Sequence, residues 1–261
     1  MSPEKLGQHF LTDESWQERI ADEVRIGDGV WVEIGAGHGE MTTRLAQRAS
    51  KVFAVELDPS LARRLREVTA PFKNVQVVES DVMAVDFEKL TGGERFSVYG
   101  NLPYYITSPI LHRLFEYAER IAAIHIVIQF EVAVRIVARQ GRRDYGYLSV
   151  VSQWFGRPEI AFQIPPGAFR PPPKVDSALV TFRMPGERAS ISVADENTFL
   201  DFVKECFAQK RKTLRNNLRQ RLGNRTEEVL REAGLPADAR AEQLTVSQFG
   251  DLFRLALQNA E

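Results

Sequence analysis

Four short strings in this chain have residue types and spacing suited to chemistry, and each follows an apolar run. They are Glu33-Ile34-Gly35-Ala36-Gly37-His38-Gly39, Glu56, Asp81 and Asn101-Leu102-Pro103-Tyr104-Tyr105. Glycines at the close of the first run permit a tight strand-to-helix turn whose backbone can approach a ligand closely. Such a turn implies a nucleotide or nucleoside, against the alternative of a tight turn that binds nothing. Glu56 ends the next run, where its carboxylate can accept both hydroxyls of a ribose. Asp81 follows Glu79-Ser80 and can accept a hydrogen bond from an adenine amino group. Singly each is an ordinary surface acid; at successive strand ends, on the side where open α/β sheets bind ligands, they point to a site.

The charges narrow the ligand. A dinucleotide calls for Gly-x-Gly-x-x-Gly, with the start of the helix facing a pyrophosphate. This chain has Gly-x-Gly-x-Gly preceded by an acid. Glu33 opposes a pyrophosphate but suits the cationic amine and sulfonium of S-adenosylmethionine. In the fourth string, Asn101 Oδ1 and the carbonyl before the Pro103 ring are two acceptors, and proline holds that carbonyl extended. Acceptors beside the N–H groups of an exocyclic amine draw its delocalised lone pair toward a pyramidal, nucleophilic state. No strong base is needed first, because the methylated nitrogen is cationic and its proton acidic. A Tyr104 ring face can stack on adenine and favour the developing charge by ~0.5–2 kcal/mol.

The elements that must position these groups read as a doubly wound α/β pattern. Apolar, β-branched runs at 30–34, 52–55, 75–78, 96–99 and 124–128 predict buried parallel strands. Amphipathic stretches from Met41 to Ala49 and Ser60 to Thr69 predict helices on the sheet faces. Later, 159–164 and 177–182 predict an antiparallel pair at one sheet edge, with Pro165, Pro166, Pro171, Pro172 and Pro173 stiffening the connection. From Val193 onward the chain reads as helices. Phe199, Val203 and Phe207, then Leu214, Leu218 and Leu222, keep an apolar stripe, and a final helix runs from Val246 to Leu257.

The longer string Asn101-Leu102-Pro103-Tyr104-Tyr105-Ile106-Thr107-Ser108-Pro109-Ile110 resembles that of the bacterial small-subunit (16S) ribosomal RNA adenine N6,N6-dimethyltransferases. The likeness covers nearly the whole chain. It implies a class I S-adenosylmethionine methyltransferase fold, Rossmann-like, with a mostly parallel seven-stranded sheet over residues 1–188 and a small all-α RNA-binding domain over 189–261. The implied reaction dimethylates N6 of two adjacent adenosines in a terminal hairpin loop of 16S rRNA during small-subunit biogenesis, leaving S-adenosylhomocysteine. Asn101, Leu102, Pro103 and Tyr104 would be catalytic, since a base must be extruded or unpaired to reach them. Phe169, in Gly167-Ala168-Phe169-Arg170-Pro171-Pro172-Pro173-Lys174, would be the second wall of the stack; residue type alone favours a core residue pinning the loop.

By position, the same resemblance implies donor contacts from His9, Leu11, Gly35, Gly37, Glu56, Asp81, Val82 and Asn101. His9 departs from the family's usual Asn, and the segment Lys5-Leu6-Gly7-Gln8-His9-Phe10-Leu11 is similar to one that folds over the donor. RNA contacts are implied for Lys174, Lys210, Arg211, Lys212, Arg215 and Arg219. Arg211, Arg215 and Arg219 recur every fourth residue and so share one helix face, which on spacing alone could equally be the solvated side.

Composition limits the alternatives. A formal net charge of -1 argues against gripping nucleic acid with the whole surface, although Lys204 to Arg225 is rich in Lys and Arg. One cysteine, Cys206, allows no internal disulfide, and with no leader-like start or membrane-length apolar run the expectation is a cytoplasmic protein; a monomer is expected separately, as no composition feature bears on it. His9, His38, His112 and His125 lack metal-ligand spacing, so no metal is expected. An antibiotic-resistance dimethyltransferase of 23S rRNA shares the chemistry, but its string has Ile where Leu102 stands. A non-catalytic assembly factor on this fold would show erosion of the Asn-Leu-Pro-Tyr string or the donor-site acids. An NAD-dependent oxidoreductase leaves Asn101 to Tyr104 unexplained.

Overall fold

The structure is a computed structural model and describes residues 9–258. Nine strands occur among the described residues: β1 (Phe10–Leu11), β2 (Val30–Ile34), β3 (Lys51–Glu56), β4 (Val75–Glu79), β5 (Phe96–Asn101), β6 (Ile121–Gln129), β7 (Arg157–Ile164), β8 (Phe169–Arg170) and β9 (Ser177–Arg183). The helices used below are α1 (Glu14–Glu23), α2 (Glu40–Ala46), α3 (Pro59–Thr69), α4 (Phe87–Thr91), α5 (Thr107–Phe115), α6 (Phe130–Val137), α7 (Tyr147–Phe155), α8 (Glu196–Cys206), α9 (Leu214–Leu222), α10 (Thr226–Glu232) and α11 (Val246–Gln258). Side-chain caps start several of them. Asp13 accepts from Ser15 N at 2.9 Å ahead of α1, and Asp58 accepts from Ser60 N at 2.7 Å ahead of α3.

Seven strands form one sheet in the order β4-β3-β2-β5-β6-β9-β7. The pairs β2–β3, β3–β4, β2–β5 and β5–β6 are parallel, and β9 lies antiparallel against β6. The strand order reverses between β2 and β5, the place where open α/β sheets leave a crevice beyond the strand ends. Register then decides which residues meet there. Ile34 is opposite Val55 and Gly100, Glu56 is opposite Glu79, and Asn101 is opposite Val127, so the four chemical strings end along one edge. Beneath them, Ile20, Met41 and Leu45 from the helices pack with Trp31 and Leu179 from the strands in one buried cluster.

The two late strands expected at 159–164 and 177–182 are β7 and β9, which are neighbours at the sheet edge, and β9 runs antiparallel to β6. A second, two-stranded sheet pairs β1 with β8, joining Phe10 to Arg170 and Leu11 to Phe169. Two-residue strands carry too little pattern to be legible in sequence.

The chain divides into two compact units, residues 1–133 with 158–184 and residues 134–157 with 185–261. This differs from the single cut expected after residue 188, because 134–157, which includes α7, belongs with the carboxyl-terminal helices. The physical reason is aromatic packing. Trp154 of α7 lies 4.5 Å from Phe199 of α8, which in turn meets Phe253 of α11 at 5.5 Å. Trp154 Nε1 also donates to Glu196 at 2.9 Å, and the Tyr145 hydroxyl donates to the Leu244 carbonyl at 2.9 Å.

The basic segment also differs from expectation. Helix α8 ends at Cys206, residues 207–212 form turns, and α9 begins only at Leu214 behind a Thr213 cap. Arg211 therefore precedes the helix, and only Arg215 and Arg219 share its face. Asn217 Nδ2 holds this break by donating to the carbonyls of Cys206 at 2.7 Å and Gln209 at 3.3 Å. Replacing Asn217 with Ala leaves those carbonyls without that donor. We expect a loss of about 1–2 kcal/mol, measured by urea denaturation of the full chain.

Candidate active site

The glycine turn after β2 is held by a carboxylate from the neighbouring strand. Glu56 is 2% exposed; its Oε2 accepts from Gly37 N at 2.9 Å and its Oε1 from Asp58 N at 2.9 Å. Gly35 N and Ala36 N donate to the Val55 carbonyl at 2.9 and 3.2 Å, completing the bend. Gly37 is required there on two counts. Its φ is +58°, and a Cβ would stand 3.2 Å from the Phe10 ring. Each Glu56 oxygen retains acceptor capacity after its single backbone bond, as a ribose diol requires.

Two adjoining hollows open over these strand ends. One, about 90 Å³, is lined by Gly35, Glu56, Leu57, Asp81, Val82, Ile106 and Ile110 among others. The second, about 50 Å³, is lined by His9, Phe10, Gly35, Glu56, Asn101, Leu102, Pro103 and Tyr104. The first joins an apolar slot to the exposed Asp81, whose Oδ1 caps the following turn through Met83 N at 2.9 Å. Leu57, Ile106 and Ile110 were not singled out from sequence, because an apolar residue carries no chemical signal of its own.

Asn101 is oriented by the amino-terminal segment. Its Nδ2 donates to the His9 carbonyl at 2.8 Å, which fixes the amide and leaves Oδ1 without a protein donor among the described residues. Leu102 N donates to the Val127 carbonyl at 3.0 Å and its side chain is buried, so the peptide entering Pro103 is anchored. The Tyr104 hydroxyl meets Ser177 Oγ at 2.7 Å, and its ring stacks with His9 at 5.4 Å and 28°. The His9 Nδ1 lies 2.7 Å from the Pro171 carbonyl oxygen, so this nitrogen carries a proton and donates. Because Asn101 uses the backbone of residue 9, having His there leaves that hydrogen bond unaffected. Lys5 to Gln8 of the same segment lie outside the described residues.

Two expected contacts are placed elsewhere. Leu11 is 6% exposed and belongs to the core cluster; its carbonyl accepts from Gln17 Nε2 at 2.7 Å, and it lines neither hollow. Phe169 is fully buried in the same cluster opposite Leu11 in the β1–β8 pair, so here it is the residue that pins the proline-rich loop. Of the two expected stacking rings, only Tyr104 borders the hollow.

Glu33 lies below the turn, 2% exposed, and accepts from Thr42 Oγ1 at 2.5 Å. Burial pushes its pKa up to about 8, and the Glu40 and Glu56 carboxylates add to the rise against the Thr42 hydrogen bond.

In the helical unit, Lys210 and Arg211 line a concavity of about 670 Å³ with Arg135, Arg142, Arg143 and Arg240, against the acids Asp144 and Glu242. Lys210 Nζ donates to the Arg143 carbonyl at 2.5 Å. Lys212 and Arg219 are exposed outside this concavity, and Arg215 is paired with Glu227 at 2.7 Å. Lys174 is exposed in the other unit. Arg135, Arg142, Arg143 and Arg240 were missed in sequence because they come from separate segments.

A parallel sheet whose order reverses beside a braced glycine turn, with acids at the next strand ends, defines a class I methyltransferase. The Asn-Leu-Pro-Tyr corner narrows that class to enzymes acting on exocyclic amino groups. The ribosomal RNA adenine dimethylase family model matches residues 3–258, and the chain belongs to that family. It is 42% identical over 254 residues to the ribosomal RNA small subunit methyltransferase A of Acidobacterium capsulatum, covering 96% of this chain and 89% of that one. The protein of the same name from Koribacter versatilis is 40% identical over 264 residues, covering 95% and 92%. Among solved structures, the 23S rRNA methyltransferase ErmE superposes with a TM-score of 0.73 at 29% identity, covering 94% of this chain and 98% of that one. A dimethyladenosine transferase from Plasmodium falciparum has the same fold, with a TM-score of 0.78 at 22% identity and coverage of 94% and 96%.

The raised pKa of Glu33 sets the sign of a pH effect. The folded state holds a proton there that the unfolded chain releases near 4.5, so the stability this contributes is full below that value and is lost as pH rises through about 8. Glu33→Gln should remove a slope of up to about 1.4 kcal/mol per pH unit across that window. Denaturant midpoints of both proteins from pH 5 to 9 measure it.

Proposed function

We propose that this protein transfers methyl groups from S-adenosylmethionine to N6 of two adjacent adenosines in a terminal hairpin loop of 16S ribosomal RNA, in the small subunit or its precursor. The observation that carries the reading is the Asn101 corner: an amide anchored through Nδ2, its Oδ1 accepting from none of the described residues, followed by an anchored peptide leading into Pro103. That corner adjoins a carboxylate-braced turn able to hold an adenosine. The donor, when bound, supplies an electrophilic methyl group on a sulfonium.

The chain's own groups do the rest. Glu56 accepts from the ribose hydroxyls, Asp81 from the adenine amine, and Val82 meets the adenine through its backbone. Gly35 and Gly37 allow the close approach, with Leu57, Ile106 and Ile110 excluding water. Asn101 Oδ1 and the Leu102 carbonyl accept from the two N–H groups of the target amine and raise its nucleophilicity. Tyr104, its hydroxyl tied to Ser177, offers a fixed ring to the extruded base. A proton leaves the nitrogen after each transfer, so two methyl groups need two donors. All these groups come from one chain, which supports a monomer as the acting unit.

Phosphate contact falls to Lys210 and Arg211 with their neighbours Arg135, Arg142, Arg143 and Arg240, supplemented by Lys212, Arg219 and Lys174. Arg215 contributes less, since Glu227 already neutralises it. The small-subunit substrate is favoured over 23S rRNA because the relatives bearing the small-subunit name reach 42% identity, against 29% for the 23S enzyme.

Asn101→Ala should lower methyl transfer at least ~100-fold while S-adenosylhomocysteine still binds, measured with labelled donor and small subunits lacking adenine methylation. Wild-type-like turnover by this variant refutes the role of Asn101, and label entering only free large-subunit RNA refutes the substrate. Arg211→Ala should weaken subunit binding and reduce the slope of log affinity against log salt by roughly 0.7–0.9, read by filter binding at several ionic strengths.

A further inference from the structure

A row of polar side chains crosses the middle of the sheet on one buried face. Glu33 of β2 is in register with Tyr99 of β5, Tyr99 with His125 of β6, and His125 with Thr181 of β9. Cross-strand partners share a face, and parallel sheets covered on both sides ordinarily read as continuous apolar runs. These four polar residues therefore need partners. His125 Nδ1 lies 3.1 Å from Thr181 Oγ1, and Glu33 Oε2 accepts from Thr42. Tyr99 is 2% exposed, and its hydroxyl has no hydrogen-bond partner among the described residues. A buried hydroxyl left unpaired is costly, so its position calls for an explanation.

Its two lateral neighbours are unequal. His125 is held neutral, with its pKa pushed down to about 4 by burial and by the Arg183 charge, and it is already engaged with Thr181. On the other side lie Glu33 and Glu40, whose negative charges add to burial in pushing the Tyr99 pKa far above its usual value. The titratable and polar groups facing Glu33 are Thr42 and Glu40 from α2, Glu56 from β3 and Tyr99 from β5. Glu40 and Glu56 oppose ionisation of Glu33, and only the two hydroxyls can favour it. Thr42 has taken Oε2, while Oε1 accepts from no described group.

We propose that the Tyr99 hydroxyl is a positioning donor for Glu33, engaging Oε1 when that carboxylate ionises opposite the cationic end of the methyl donor. This rests on the reading of the crevice as the donor site. Near neutrality the free protein holds a proton on Glu33. The approaching positive charge makes the carboxylate the stable form, the proton passes to buffer, and Tyr99 keeps its own proton while donating a hydrogen bond. Tyr99 thus belongs to the pH response of donor binding and does not touch the reacting atoms.

The test is calorimetry of S-adenosylmethionine and S-adenosylhomocysteine binding from pH 6 to 9, in buffers of differing ionisation enthalpy. It uses the wild type, Tyr99→Phe, Glu33→Gln and the double variant. The wild type should release up to one proton on binding. Tyr99→Phe should bind about tenfold more weakly at pH 6.5, with the deficit closing by pH 9 and the midpoint of proton release about one pH unit higher. In the Glu33→Gln background it should change nothing further. Without ligand, Tyr99→Phe should move the Glu33-dependent loss of stability to higher pH by a similar amount. An unchanged midpoint, or a deficit equal at every pH and in both backgrounds, overturns the proposal and leaves Tyr99 as packing. Wild-type binding without proton release also overturns it while the donor site stands; absence of binding by either compound overturns both.

Discussion

The Glu56 carboxylate, buried between two backbone amides, is the interaction on which the rest of the site depends. By accepting from Gly37 and from Asp58 it fixes the turn after one strand and the turn after the next with a single side chain. Water is largely excluded there, so these charge-assisted bonds are stronger than their surface equivalents. They keep the glycine turn open enough for the Phe10 ring to close against Gly37 and for the amino-terminal segment to lie where its His9 carbonyl meets Asn101. The two hollows share Gly35, Glu56 and Pro103, so rigidity in one is inherited by the other.

Charge below and around the glycine turn is arranged against itself. Glu40 and Glu56 come close enough for their fields to act on Glu33, whose burial pushes its pKa up to about 8. A cationic ligand relieves that repulsion, whereas a pyrophosphate would add to it. The same residues that disfavour a dinucleotide therefore favour a sulfonium. The Asn101 corner offers neutral acceptors, which would suit an amine whose proton becomes acidic only after methylation.

The helical unit follows a different logic. Its interior is aromatic, with Trp154, Phe199, Phe253 and Phe202 in successive ring contact, and its cations are gathered from three segments around one concavity. With a net charge of -1 over the chain, such concentration makes phosphate attraction local. Several of the other arginines are engaged with acids, as Arg221 is with Glu205 at 2.7 Å and Arg215 is with Glu227.

What the sequence by itself determined is the alternating α/β plan, the acids closing successive strands and the Asn101 corner, because strand ends and special turns are local properties written in apolar runs, glycines and prolines. The family likeness was legible for the same reason, as a contiguous string. Tertiary structure decided whatever depends on residues distant in the chain. It moved 134–157 to the helical unit through Trp154 and Phe199, buried Phe169 and Leu11 against each other, and ended α8 before Arg211 where Asn217 holds the turn. It also set Tyr99 beside Glu33, a pairing fixed by strand register, since no spacing along the chain encodes which residues face one another across a sheet.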